Sequence, residues 1–316
     1  MMIRGAQGTL IAERYEFVSV LGEGAMASVY KAHDRALGGE PVALKIIHRN
    51  LITQGQWLDR FKQEVVVARR LSHPNIVRIF DFGELPEGDY FATMEIVAGG
   101  NLKSKIESTA YGRLELIDSL QILLQTTMAL DYAHQHAVIH RDVKPDNILF
   151  DLSGFAKLSD FGSARQLELD QRLTPLGNVI GTPHYMPPEL FKGEPATPLV
   201  DVYSLGIVLY EMLAGSPPFV GESSAAVIAQ HIKTSLPPLS TRRSDVPKWC
   251  EEIIQTCTEK RPGDRYPSIS ALAGEVLDRL VSLDAVPKLP AIPDSLVHRI
   301  KGRNGSGGSL LKRLFS

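Results

Sequence analysis

Between two apolar stretches, Ala137-Val138-Ile139 and Ile148-Leu149-Phe150, the chain carries His140-Arg141-Asp142-Val143-Lys144-Pro145-Asp146-Asn147. Three polar side chains are thereby held on a short loop at the edge of a core. An aspartate there can orient a hydroxyl, a lysine can neutralise a phosphoryl group in transit, and an asparagine can hold a metal. These are the parts of an ATP phosphoryl-transfer site, and Asp142, Lys144 and Asn147 are the candidates for them. Lys45 is another. It lies in Pro41-Val42-Ala43-Leu44-Lys45-Ile46-Ile47, and a lysine inside an apolar strand must find an anionic partner or be desolvated at a cost. Gly22-Glu23-Gly24 offers two glycines where a backbone could approach phosphates closely. Asp160 follows Lys157-Leu158-Ser159 and precedes Phe161-Gly162. With Asn147 it suits Mg²⁺, which takes one or two carboxylates plus substrate oxygens rather than a full protein cage.

Taken together, these segments resemble the eukaryotic-type (Hanks-type) serine/threonine protein kinases, in the style of the bacterial members. The octet matches the family's catalytic loop, with Val143 in place of leucine, and Asp160-Phe161-Gly162 and Val42-Ala43-Leu44-Lys45 match two further signatures. The resemblance implies that Asp142 accepts the proton of the acceptor hydroxyl, that Lys144 stabilises the transferring phosphoryl group, and that Asn147 and Asp160 bind the metal, Mg²⁺ or alternatively Mn²⁺. It implies an ATP site built from Leu21, Gly22, Glu23, Gly24, Ala25, Met26, Ala27, Ser28 and Val29, then Ala43 and Lys45, with Glu64 positioning the lysine. Met94 would back the adenine pocket, the backbone at Glu95 and Val97 would bond the base, and Leu149 would complete the site. Ala27 replaces the third glycine of the family's loop. Met186-Pro187-Pro188-Glu189 stands where the family has Ala-Pro-Glu. By the same resemblance Glu189 pairs with a buried Arg265, and Asp201 ties down the catalytic-loop backbone; both support the site without doing chemistry.

Substrate class and regulation follow from the same comparison. Lys144 two positions after Asp142, and Gly181-Thr182, point to serine and threonine acceptors in proteins rather than tyrosine. Many kinases that want a basic residue upstream of the target carry an acid just after the hinge glycines; here that position is Asn101. No strong requirement for arginine at the third position before the target is therefore expected. Residues 163–189 form the activation segment. Thr174 is the expected autophosphorylation site, read by Arg141, and Thr182 is the second candidate.

Hydrophobic patterning supplies the elements that would position these groups. Tyr15–Leu21, Pro41–Ile47, Ile76–Gly83 and Asp89–Met94 read as strands. A helix is expected over residues 57–71, where Phe61, Val65, Ala68 and Leu71 recur at spacings of four and three. Glu115–Gln135 is a long amphipathic helix that delivers the catalytic loop, and residues 199–215 are a buried one. Further helices are expected over Ala225–Lys233, Pro247–Thr258 and Ile269–Leu283. With these elements the family resemblance implies an α+β fold class: a bilobal protein kinase fold with a small β-rich N-lobe (14–94) containing one key helix, a hinge (95–100) and a larger, mainly α-helical C-lobe (101–283). Residues 1–13 read as a loose leader and 284–316 as a flexible basic tail.

Composition narrows the alternatives. The 316 residues are 44% hydrophobic with a net charge of −2, enough apolar mass for a substantial core and no sign of a nucleic-acid partner. The two cysteines, Cys250 and Cys257, would lie about 10 Å apart along a helix axis, beyond disulfide reach. They read as buried thiols in a reducing, cytoplasmic setting. No stretch reads as a transmembrane span. The tail carries Arg299, Lys301 and Arg303, a Gly/Ser linker over 302–309, and ends Leu310-Leu311-Lys312-Arg313-Leu314-Phe315, which suggests at most a weak touch on an anionic membrane or a docking partner. A catalytically silent scaffold of the same fold is the alternative function. The presence of Lys45, Glu64, Asp142, Asn147 and Asp160 together argues against it.

Overall fold

A computed structural model describes residues 8–24, 27–47, 65–66, 68–86, 88–161, 183–285 and 288–290. The N-terminal part is one six-stranded antiparallel sheet in the order β1-β2-β3-β4-β6-β5. Its strands are β1 (Leu10–Ile11), β2 (Tyr15–Glu23), β3 (Ala27–Asp34), β4 (Glu40–Ile47), β5 (Ile79–Glu84) and β6 (Tyr90–Met94). The period of two along a strand divides the residues of β4 between faces. Val42, Leu44 and Ile46 enter a core with Tyr15, Phe17, Tyr30 and Phe91. Ala43 and Lys45 are left to the other face, which turns toward the helical lobe.

The rest is helical, with one small hairpin. The helices are α1 (Leu102–Glu107), α2 (Leu116–Gln135), α3 (Pro188–Phe191), α4 (Leu199–Ala214), α5 (Ser224–Lys233), α6 (Lys248–Cys257) and α7 (Ile269–Ser282); the hairpin pairs β7 (Ile148–Phe150) with β8 (Ala156–Leu158). Every residue of α4 from Val200 to Leu213 is buried. Gly206 makes this possible on one side: a Cβ there would meet the Cys257 Cβ at 2.5 Å, so α4 and α6 touch at backbone distance. Three polar residues of α4 are matched, as burial favours: Ser204 donates to the Tyr185 carbonyl at 2.8 Å, while Asp201 and Glu211 serve the site described below. Cys250 and Cys257 are buried and unpaired, and burial pushes the Cys250 thiol up to about 12, leaving it protonated and inert. No helix among the described residues is long and apolar enough to cross a membrane.

Four expectations are revised. The span 1–13 is not loose throughout, because Leu10 and Ile11 pair with Glu16 and Tyr15, and Ile11 is buried in the sheet core. Two residues are too few to show a strand period. The strand expected from Ile76 begins at Ile79 instead, since Ile76 bridges to Leu158 and the Val77 N–H donates to the Leu158 carbonyl at 2.9 Å. That segment docks onto β8 rather than continuing the sheet. Helix α1 was not anticipated; Asn101 caps it by accepting from the Ser104 N–H at 2.8 Å. The start of the span 284–316 is packed. Ala285 is buried, and the Lys288 backbone is clamped by the side chains of Gln121 and Gln125, at 2.5 and 2.7 Å. Of the helix expected over 57–71, residues 65, 66 and 68 are helical and the remainder lies outside the described residues.

Candidate active site

The catalytic-loop candidates converge. From β7 backwards, a 3-10 turn at Pro145–Asn147 brings Asn147 over Asp142. The Asn147 Nδ2 donates to the Asp142 carbonyl at 2.8 Å and to Asp142 Oδ2 at 3.2 Å, and Lys144 Nζ reaches the same Oδ2 at 2.8 Å. With its nitrogen so engaged, the amide of Asn147 turns its oxygen the other way, as a hard-cation ligand requires. Val143 is fully buried and anchors the loop between these polar residues.

Three further residues lock the loop. The Asp142 N–H donates to His140 Nδ1 at 3.1 Å, so the ring proton sits on Nε2, which donates to the Ser159 carbonyl at 2.8 Å. Ser159 returns two bonds to the Asn147 carbonyl, from its N–H at 2.9 Å and its hydroxyl at 3.1 Å. The residue before Asp160 is thus stitched to Asn147. Behind the loop, Asp201 is wholly buried on α4. Its Oδ1 accepts from the Arg141 N–H at 2.8 Å; its Oδ2 accepts from the His140 N–H at 2.9 Å and meets His134 Nε2 at 2.7 Å. Arg141 has φ +67° and Asp160 φ +63°, left-handed conformations that cost a non-glycine residue of order 1–3 kcal/mol. The Asp201 bonds are what hold Arg141 there.

On the facing sheet, cross-strand register assembles the other group. Val29 lies opposite Lys45, Ala43 opposite Met94, and Lys45 opposite Ala92. Directly opposed residues share a face, so Val29, Ala43, Lys45 and Met94 line one surface of the sheet; Leu149 lies in β7 opposite Lys157. Lys45 Nζ reaches Asp160 Oδ1 at 2.5 Å. Burial would raise the Asp160 carboxyl, but the charge and hydrogen bond of Lys45 outweigh it and hold its pKa below the usual range. Ala27 opens β3 opposite Ile47 in ordinary strand geometry, which is why an alanine is acceptable where the family has a glycine. Ser28 is buried and Leu21 exposed; Gly22 pairs with Val29 and Glu23 with Ser28. Ala25, Met26, Glu64, Thr174 and Thr182 lie outside the described residues.

The hinge is fastened by means the sequence reading missed. The Glu95 carboxylate accepts from the Arg78 N–H at 2.8 Å and from Lys157 Nζ at 3.0 Å, tying hinge to β8. Gly99 donates to the Phe150 carbonyl at 2.7 Å, and a Cβ on it would meet that oxygen at 2.5 Å. His134 on Asp201 was also missed. Its signal was a lone histidine in the last turn of an apolar helix, six residues before His140.

This constellation recurs in known proteins. Residues 15–277 match the protein kinase domain model. The chain belongs to the protein kinase domain family. The kinase domain is 40% identical over 270 residues to the serine/threonine-protein kinase PrkC of Bacillus subtilis, covering 85% of this chain and 41% of that protein. It is 36% identical over 269 residues to a probable serine/threonine-protein kinase PknB of Lactococcus lactis, covering 85% and 42%. The chain therefore spans about two fifths of the length of these curated relatives. Among solved structures, the Mycobacterium tuberculosis PknI kinase domain superposes with a TM-score of 0.71 at 28% identity, covering 87% of this chain and 99% of that one. The bilobal α+β architecture is that of this kinase fold. Glu189 and Arg265 form a buried ion pair: both terminal guanidinium nitrogens meet the carboxylate, at 2.6 and 2.8 Å.

Proposed function

We propose that this kinase domain transfers the γ-phosphoryl group of ATP to serine and threonine hydroxyls of proteins. The observation that carries the reading is the Asp142 carboxylate, held by Lys144 and Asn147 and braced from behind through Asp201. In this reading Asp142 orients the acceptor hydroxyl and takes its proton. Lys144 stays beside it to stabilise charge on the transferring group. Lys45 holds the α- and β-phosphates. The surface of Val29, Ala43, Met94 and Leu149 receives the base, and the Glu95 and Val97 backbones bond it. Among the described residues no group of three or more His, Cys, Asp or Glu could hold a metal alone, so a cation here needs phosphate oxygens as well. Asp160 and Asn147, hard oxygen donors tied together through Ser159, fit Mg²⁺ or Mn²⁺. The ion would neutralise phosphate charge, and Asp160 must exchange its Lys45 contact for it. We read the setting as cytoplasmic, which supplies ATP and keeps the buried Cys250 and Cys257 thiols reduced.

Regulation follows from Arg141, whose backbone is fixed beside Asp142. We read Thr174 as the site whose phosphate this guanidinium recognises. The first experiment incubates the chain with labelled ATP and Mg²⁺ beside Asp142→Asn and maps the label. Label on Thr174 or another activation-segment threonine, absent in the variant, is expected. Absence of label from a wild-type sample that binds ATP would remove the catalytic reading. Thr174→Ala is expected to lower activity at least about tenfold, the loss of one charge-assisted interaction; full activity would end the switch idea.

A further inference from the structure

We propose that Lys103 sets acceptor specificity by occupying, from within the chain, an anionic socket at Glu211 beside the catalytic loop. The inference rests on the protein kinase reading above and deepens it. Glu211 lies in the last turns of α4, and its side chain is wholly buried. A carboxylate so placed must be matched at both oxygens. The Tyr185 hydroxyl donates to Oε2 at 2.6 Å, and the Lys103 ammonium donates to Oε1 at 3.1 Å. The two donors come from separate parts of the chain and meet on one carboxylate. Lys103 is in the first turn of α1, three residues past Gly100, and Tyr185 lies near the C-terminal end of the 163–189 span.

Asp146 ties this cluster to the chemistry. It stands four residues after Asp142, and its charge bears on both Lys103 and Tyr185. Burial works against the Lys103 ammonium, yet the hydrogen bond to Glu211 and the charges of Glu211, Glu107 and Asp146 outweigh it and hold its pKa above the ordinary lysine value. Lys103 is also the partly exposed member, at 37% against 0% for Glu211. A basic side chain of an acceptor peptide would be drawn to this acidic flank. It would then meet Lys103 already seated and repelling it, the kind of like-charge opposition by which proteins reject the wrong partner. Acceptors with neutral or acidic residues before the serine or threonine are therefore favoured, and basic ones are not. The absence of an acid at Asn101 points the same way.

The test uses serine and threonine peptides in an alanine background, with arginine placed singly at each of four positions before the acceptor. Initial rates with labelled ATP are compared for wild type, Lys103→Ala, Lys103→Gln and the double variant Lys103→Ala/Glu211→Gln. Lys103→Gln keeps a donor for Glu211 and guards against loss of folding, which thermal melts would report. Wild type is expected to show an arginine-to-alanine ratio of kcat/KM at or below about one. Lys103→Ala, and more weakly Lys103→Gln, should raise it about tenfold at one position, as a close interfacial charge pair supplies. The double variant should return it to about one. An arginine preference already present in wild type, or one profile shared by all four proteins, overturns the role of Lys103 while leaving the kinase reading intact. No transfer to any peptide, together with no autophosphorylation, overturns the kinase reading and this inference with it.

Discussion

Lys45 shows how much a single residue type can announce. An ammonium among Val42, Ala43, Leu44 and Ile46 needs an anion, and the one it meets here is Asp160 at 2.5 Å. The expected partner Glu64 lies outside the described residues. In either reading Lys45 faces a carboxylate, and Asp160 is one that the proposed metal would claim, so phosphate oxygens can replace that contact at little cost in solvation. Lys45→Met is accordingly expected to weaken ATP binding at least about tenfold, since a hydrogen bond to a charged group is worth ~1.5–3 kcal/mol. Titration calorimetry on the purified chain checks it, and a dissociation constant within twofold of wild type would take Lys45 out of the nucleotide site.

At the scale of elements, α4 is the organiser. An apolar helix with three polar positions could have been merely a poorly drawn core helix. Instead Ser204 grips the backbone at Tyr185, Glu211 grips Tyr185 and Lys103, and Asp201 fixes the catalytic loop. Arg141 stays in its left-handed conformation only because Asp201 accepts from its N–H. Asp201→Asn turns one of those two oxygens into a donor facing N–H groups. The expected result is a fall in kcat of about 10²-fold from misplacement of Asp142, with a much smaller change in the KM for ATP, because Val29, Ala43 and Met94, proposed to receive the base, lie on the sheet away from Asp201. Steady-state kinetics separates the two. An equal change in both would mean that Asp201 serves the fold alone.

For the whole molecule, the question is what joins parts that the sequence keeps far apart. Arg265 and Glu189 are separated by 76 residues and meet with both side chains almost wholly buried. Arg265 also donates to the Leu199 and Glu259 carbonyls, so one guanidinium joins α3, the start of α4 and the loop after α6. Removing one partner of such a pair leaves an uncompensated buried charge. Glu189→Gln is expected to cost about 3–5 kcal/mol, read as a shifted midpoint in urea unfolding at unchanged slope. A loss under about 1 kcal/mol would mean that the guanidinium reaches water. Between the lobes, the joints include Glu95 to Lys157, the Asn75 side chain to the Ala156 carbonyl, and Ile76 beside Leu158.

The sequence by itself determined the fold class, the order of the lobes, and the loop of Asp142, Lys144 and Asn147. Each of these depends on residue types at short range: alternation in β4, helical spacing in α2, and polar side chains bracketed by apolar triplets. The family resemblance also named Glu189, Asp201 and Arg265, because their motifs are local. Tertiary structure alone decided that Ile11 closes the sheet, that Ile76 leaves it for β8, that His134 completes the Asp201 site, and that Lys103 finds Glu211. These contacts join residues by the path of the chain through space. A histidine in a helix or a lysine after a hinge looks the same in sequence whether it faces water or a buried carboxylate. Only the packing of α4 against α1 and α2 says which, because that packing removes the water which would otherwise satisfy both partners.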